Sequence, residues 1–221
     1  MQTIKRRYVD VMQGLGGRLP LSTARGAQTA SAEAAFGWQR WFASLFAIYD
    51  TDAMIRLDLP WWNVAATREI DLFLAGRPDA RVFEYGSGAS TIWLAKRCRE
   101  ILSVEHDRSW YDRFQHQAAG RGNITLLHRP ILSESATYAG SIDEFDGQFD
   151  LIVVDGRHRA KCLKRAVDRL KPGGVIVFDD SGRARYRRAI GDCGLVERRH
   201  FGRSFCVPYP DYTSLLRHDG R

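Results

Sequence analysis

The chain has 221 residues, 44% apolar and 27% charged, with a formal net charge of +7. That supports one sizeable folded domain with an extension and excludes a wholly disordered polymer. The longest apolar runs, such as Leu151–Val154, fall far short of the roughly 20 residues that span a bilayer, and Met1–Pro20 has no continuous apolar core of a secretory signal.

Taken in order, residues 1–32 are rich in Gly, Ala, Ser and Thr and read as a loosely ordered arm carrying the basic cluster Lys5-Arg6-Arg7. Residues 33–78 read as a helical extension. Trp38, Trp41, Phe42, Leu45, Phe46 and Tyr49 recur at spacings of three and four, which predicts one amphipathic helix. Leu59-Pro60-Trp61-Trp62 breaks it. A second helix is expected from Asn63 to Leu74, with Ala66, Ile70, Phe73 and Leu74 on one face and Gly76 and Pro78 as the stop.

From residue 79 to 221 the pattern alternates. Strands are expected at Arg81–Tyr85, Ile101–Glu105, Ile124–His128, Leu151–Val154 and Val175–Phe178, with a closing pair at Leu195–Phe201 and Thr213–Arg217. Helices are expected at Ala89–Cys98, Ser109–Ala118, Arg159–Leu170 and Arg183–Asp192; a less regular stretch runs to Gln148, and Pro172-Gly173-Gly174 reads as a turn. Strands alternating with short helices mean βαβ units. The expected fold is α/β: a single doubly wound, mostly parallel, seven-stranded sheet of Rossmann-like type, with the helical extension in front.

Ligands of such sheets bind outside the carboxyl ends of the strands. There the first strand runs into Glu84-Tyr85-Gly86-Ser87-Gly88-Ala89-Ser90-Thr91, and the second ends in Glu105, 17 residues after Gly88. Glycines allow a tight turn close to a ligand, and a carboxylate at Glu105 can accept hydrogen bonds from two ribose hydroxyls. A dinucleotide fingerprint fails, because the third glycine position of G-x-G-x-x-G is Thr91.

These residues resemble the motifs of class I S-adenosylmethionine-dependent methyltransferases. Val82–Ser90 is similar to the first motif, Ile101–Asp107 to the second, Phe149–Asp155 to the fourth-strand motif and Leu170–Phe178 to the fifth-strand signature. The resemblance implies S-adenosylmethionine as cofactor. It places Glu84, Tyr85, Gly86, Ser87, Gly88 and Thr91 around the methionine part, Glu105 on the ribose and His106 near the adenine. His128, His200 and His218 read as structural or exposed.

Asp155 ends the fourth strand and Asp179-Asp180 ends the fifth, its expected neighbour. Three clustered carboxylates repel unless a cation or protons neutralise them, and oxygen-only ligands suit Mg²⁺ or Mn²⁺. The set resembles the metal site of cation-dependent O-methyltransferases of the catechol and caffeoyl-CoA type, with Asp180 where those carry Asn. That resemblance makes Asp155, Asp179 and Asp180 metal ligands, gives Asp155 a catalytic place, and makes His158 the general base, in the position of the family's lysine. The alternatives are structural: Asp155 capping the turn, Asp179 and Asp180 capping the next helix with Arg157 or Arg183 as partners, and His158 as a turn residue.

The expected acceptor is a small-molecule hydroxyl. Asp155-Gly156-Arg157-His158 lacks the Pro-Pro-aromatic run of enzymes that methylate exocyclic base nitrogens. Arg157–Arg188 carries 11 Lys/Arg against 3 Asp/Glu, so a nucleic-acid methyltransferase stays open beside a merely solvated basic face, as does a non-catalytic cofactor-binding protein. Trp61 and Trp62 either pack on the sheet helices or cover the acceptor. Cys98, Cys162, Cys193 and Cys206 lack C-x-x-C spacing, so reduced thiols and a cytoplasmic location are expected. No membrane partner is expected, and a homodimer stays open.

Overall fold

The computed structural model describes residues 9–14, 32–131 and 136–220. Strands β1 (Arg81–Tyr85), β2 (Glu100–Glu105), β3 (Ile124–His128), β4 (Phe149–Val154), β5 (Leu170–Asp179), β6 (Val196–Arg203) and β7 (Pro210–Arg217) form one sheet in the order β3-β2-β1-β4-β5-β7-β6. The first five are parallel, and β7 runs antiparallel to β5 and β6.

The parallel strands are apolar on both faces, and their period of two feeds two cores. Phe83, Tyr85, Ile152, Val154, Ile176 and Phe178 face one side, packed with Cys162, Leu163 and Ala166 of α9 (Arg159–Asp168). Val82, Leu151, Val153, Val175 and Val177 face the other. There they meet Trp93 of α6 (Ala89–Ala95) and the predicted Ala66, Ile70, Phe73 and Leu74 face of α5 (Val64–Ala75). Asn63 caps α5, its Oδ1 accepting from the N–H groups of Ala65 and Ala66. Helices α7 (Arg108–Ala118) and α10 (Ala184–Gly191) follow β2 and β5.

Three expectations change. The helix predicted over Trp38–Tyr49 is α3 (Trp38–Ser44) followed by a 3₁₀ turn, Leu45–Ala47. Tyr49 takes a φ of 57°, and Asp50 then caps a new helix, α4 (Thr51–Arg56), by accepting from Ala53 N–H at 2.8 Å. The stretch before β4 contains a short helix, α8 (Ala136–Gly140), and a 3₁₀ turn, Ser141–Glu144, which bury Tyr138 and Ile142. Pro172-Gly173-Gly174 lies inside β5: pairing with β4 runs from Leu170 to Val175 across a register shift, so the turn bulges out of one continuous strand.

Part of the arm is ordered. Residues 9–14 form a helix, α1, whose Val9 and Met12 pack on the extension's core while Gln13 donates to Ile48 O. Lys5-Arg6-Arg7 lies outside the described residues. A four-residue helix, α2 (Ala32–Ala35), opens the extension. The extension is tied to the last strands: Trp41 Nε1 donates to Ser204 O and Asn63 Nδ2 to Asp211 O, while Asn63 N–H donates to Thr213 Oγ1. Among the described residues no helix is long and apolar enough to cross a membrane. All four cysteines are free, and burial pushes the Cys98 thiol up to about 12.

Candidate active site

A cavity of about 840 Å³ opens at the carboxyl ends of β1, β2, β4 and β5. Its first half is the turn from β1 to α6. Gly86 has a φ of +94°, and a Cβ there would lie 2.8 Å from the Gly156 backbone, so both the conformation and the close approach to the β4 end require glycine. A Cβ on Gly156 would in turn strike the Tyr138 hydroxyl. Gly88 opens α6 with nothing within 4 Å of the place a Cβ would take. Glu105, buried at the end of β2, is fixed by the backbone N–H groups of Ser87 (3.2 Å), His106 and Asp107 (2.8 Å each), and His106 Nδ1 lies 2.7 Å from its Oε1. Trp110 closes this half, its Nε1 donating to Ser87 O at 2.7 Å.

The second half lies over β4 and β5. Asp155, Asp179 and Asp180 do converge, and they converge on the Arg159 guanidinium. Arg159 sits in the first turn of α9, four residues after Asp155, and its side chain is 9% exposed. Nη2 donates to Asp155 Oδ1 and to Asp155 O, both at 2.8 Å; Nε donates to Gly156 O at 3.0 Å. Nη1 donates to Asp179 O and lies 3.1 Å from Asp180 Oδ2 and 3.7 Å from Asp179 Oδ2. The other oxygens are also held: Trp62 Nε1 donates to Asp155 Oδ2 at 3.1 Å, Thr213 Oγ1 to Asp179 Oδ1 at 2.7 Å, and Arg183 pairs with Asp180 at 2.7 Å. Burial pushes the Asp155 carboxyl up to about 6, against the pull of Arg159. Burial, joined by the charge of Asp155, raises Asp179 well above the ordinary carboxylate range. Burial works against the charge of Arg159, yet the three carboxylates outweigh it and hold the guanidinium protonated.

Residues 83–181 match the methyltransferase-domain family. The chain carries a class I S-adenosylmethionine-dependent methyltransferase domain. Among solved structures, the methyltransferase is similar to a candidate O-methyltransferase from Klebsiella pneumoniae, at 21% identity over 83% of this chain and 91% of that one, with a TM-score of 0.57. It is similar to the O-methyltransferase TomG from Streptomyces achromogenes, solved with S-adenosylmethionine, at 18% identity, 80% and 90% coverage and a TM-score of 0.57. An rRNA methylase from Streptococcus thermophilus matches at 15% identity over 69% of this chain and 96% of that one, with a TM-score of 0.52. At these identities the likeness is one of fold. No curated protein is similar enough in sequence to match.

Of the residues expected on the cofactor of this methyltransferase, Gly86, Ser87, Gly88, Glu105 and His106 line the cavity. Glu84, Tyr85 and Thr91 do not, and this corrects the sequence reading. Glu84 is fully buried on β1, where its carboxylate accepts from Ser90, Thr91 and Ser103 hydroxyls, so it braces the start of α6 from beneath. Thr91 belongs to that brace and also accepts from Gly88 N–H; Tyr85 donates to Ala139 O in the core.

The metal reading is corrected as well. Among the described residues no group of three or more His, Cys, Asp or Glu side chains could hold a metal ion. The carboxylates of Asp155, Asp179 and Asp180 are turned onto a guanidinium already packed between them, so the residues do not fit Mg²⁺ or Mn²⁺. The neutralising partner is Arg159, helped by Arg183; Arg157, the other partner named from sequence, lines the cavity without an ion pair to these acids. His158 lines the cavity, exposed, with a φ of 50° as the N-cap of α9. His200 lies 3.2 Å from Glu69, away from the site.

Trp61 and Trp62 divide their roles. Trp61 lines the cavity beside Tyr49, with ring centroids 4.9 Å apart, whereas Trp62 is buried against Trp93 and reaches the acid cluster through Nε1. Sequence reasoning missed Trp110, Tyr138 and Arg159. The i,i+4 spacing of Asp155 and Arg159 was the available signal for the last. Tyr138, buried with no hydrogen-bond partner for its hydroxyl among the described residues, gave none.

Proposed function

We propose that this methyltransferase methylates a hydroxyl group of a small molecule, with Gly86–Gly88 and Glu105 holding S-adenosylmethionine and His158 taking the hydroxyl proton. The observation that carries the reading is the single cavity that joins the Gly86 turn and Glu105 to Asp155 and His158. Its volume of about 840 Å³ falls in the range of small-molecule sites. The donor requirements fit: backbone close to the ligand at Gly86 and Gly88, and a carboxylate fixed by backbone N–H groups at the next strand end. Glu105 Oε2, with one N–H at 3.2 Å, retains lone pairs for ribose hydroxyls. When bound, the cofactor supplies a methyl group already activated by a positively charged sulfur.

The chain then has two tasks, alignment and removal of a proton. Arg159 and Trp62 fix both Asp155 oxygens, which suits Asp155 to orienting the neighbouring groups of the site. His158 has no ion pair among the described residues, and a neutral imidazole accepts a proton from a hydroxyl near neutral pH. The likeness to O-methyltransferases such as TomG supports the choice of hydroxyl. A methyl-transfer screen against hydroxylated compounds and matched amines tests it. His158→Ala should lower kcat about 10²–10⁴-fold and be partly rescued by added imidazole, with affinity for S-adenosylhomocysteine unchanged. Transfer confined to amines sinks the hydroxyl reading, and full activity of His158→Ala makes His158 a turn residue.

A further inference from the structure

We propose that the acceptor is anionic: a small hydroxylated molecule bearing a carboxylate or phosphate group, held by Arg157 and Arg185 where α9 and α10 meet the cavity. This rests on the acceptor half of the cavity being the substrate site of the proposed reaction. The basic helices divide into two sets. Away from the cavity, Arg165 pairs with Asp143, Arg187 with Glu197 and Arg188 with Asp192. These charges are answered within the chain, so they do not form a continuous ridge for a polyanion. Within the cavity wall the balance is reversed. The lining carries Arg113, Arg157, Arg159, Lys161, Arg183 and Arg185 against Glu105, Asp107, Asp155 and Asp180, and the acids on the α9 and α10 side are Asp155 and Asp180. Both acids are already engaged, by Arg159 and by Arg159 with Arg183.

Arg157 and Arg185 are exposed and have no ion-pair partner among the described residues; Arg185 lies over the Tyr186 ring at 4.7 Å. Cations gathered in one recess repel one another and concentrate a positive potential there, which an anionic ligand relieves. Helices α9 and α10 begin at this wall without a side-chain cap, so their N-terminal dipoles add in the same sense. Another part of the lining is of a different kind. Tyr49, Met54 and Trp61 present an apolar, aromatic surface from the extension. A ring against Trp61 with its charged group toward α9 and α10 uses both parts and leaves a hydroxyl beside His158. A cavity of about 840 Å³ shared with the cofactor leaves room for one small molecule rather than a nucleic-acid strand.

The test uses the full chain saturated with S-adenosylhomocysteine, with calorimetric titration of catechol, 3,4-dihydroxybenzoate, 3,4-diaminobenzoate, phenyl phosphate and a uridine oligonucleotide. Carboxylate and phosphate probes should bind at least about tenfold more tightly than catechol, as expected of a charge-assisted contact. The advantage should shrink as salt rises from about 50 to about 500 mM. In the Arg157→Gln/Arg185→Gln double variant it should fall to within about twofold, while S-adenosylhomocysteine affinity stays at the parent value as the check on folding. Which anion gains most distinguishes a carboxylate from a phosphate acceptor. No anion preference in the parent protein, or a preference untouched by the double variant, overturns the proposal. So does oligonucleotide binding that exceeds every small anion and is lost in the double variant. In a parallel assay with S-adenosylmethionine in place of S-adenosylhomocysteine, methyl transfer to 3,4-diaminobenzoate but not to 3,4-dihydroxybenzoate, with the anion preference intact, overturns the hydroxyl reading instead.

Discussion

Glu84 on β1 is fully buried and Asp155, just past the end of the adjacent β4, is partly buried, and their surroundings satisfy them by different means. Glu84 meets only hydroxyl groups, from Ser90, Thr91 and Ser103. These orient its carboxylate but bring no opposite charge, and burial pushes it up to about 7. Asp155 is pushed up to about 6 by burial, with the Arg159 guanidinium pulling against it and the Asp180 carboxylate adding to it. Hydroxyl dipoles hold a carboxylate in place, whereas a guanidinium also offsets its charge. The first arrangement makes a rigid turn beneath the cofactor half. The second gathers three carboxylates around one guanidinium at the ends of β4 and β5.

The strongest challenge to this comparison is removal of the guanidinium. Arg159→Ala leaves Asp155, Asp179 and Asp180 facing one another, and denaturant unfolding should show a loss of about 3–5 kcal/mol. A loss under about 1 kcal/mol would mean that Arg159 is not what neutralises the cluster. Arg159→Lys should recover part of the loss, since an ammonium keeps the charge but not the fork of donors.

Glu84 gives a prediction in pH. Its value in the folded state, about 7, lies above its ordinary value of 4.5. Between the two, the folded chain holds a proton that the unfolded chain releases. The stabilising contribution is therefore fully present below 4.5 and is lost as the pH rises through about 7. Glu84→Gln removes that titration. The stability difference between variant and parent should change by on the order of 3 kcal/mol across the window, the parent losing more as pH rises. Parallel stability curves for the two would show that hydroxyl donors alone keep Glu84 at an ordinary value.

Glu105 offers a third arrangement, a carboxylate fixed by backbone N–H groups. Glu105→Ala should weaken S-adenosylmethionine binding by roughly 1.5–3 kcal/mol by calorimetry, the scale of hydrogen bonds to a charged group. Equal affinity removes it from the cofactor site. The smallest effect is expected from chelation. With Arg159 already seated among the acids, EDTA should leave turnover at its parent rate, and a loss restored by Mg²⁺ would overturn the guanidinium account.

Much of the fold was legible because it depends on local pattern. Continuous apolar runs marked β4 and the end of β5, and glycine after Tyr85 marked the turn. Asn63 and Gly76 bracketed α5. The breaks were less legible. Tyr49 stays inside a helical pattern by composition, and only the cap at Asp50 and a positive φ split the helix. Gly86, Gly88 and Glu105 could be placed at the cavity from sequence because a strand-end glycine and an acid at the next strand end both fall on the carboxyl edge of a parallel sheet. Glu84 could not, because its position beside the glycines is equally suited to facing a ligand or a brace of hydroxyls.

The sequence by itself determined the alternation of strands and helices, a mostly parallel sheet apolar on both faces, and the expectation that three acids meet at neighbouring strand ends. These follow from periodicity and from the right-handed crossovers of parallel strands. Only the tertiary structure decided what meets those acids. Arg159 is one of 11 basic residues from Arg157 to Arg188, and along the chain only its i,i+4 spacing from Asp155 sets it apart. It becomes the cation of the site because the first turn of α9 crosses the seam between β4 and β5, within reach of three carboxylates. Trp61 and Trp62, adjacent in sequence, separate for a related reason: the chain enters α5 there, so one ring lines the cavity and the other packs against Trp93 and Asp155. A charge's partner depends on which long side chains reach it through space, and that is set by how helices cross the sheet.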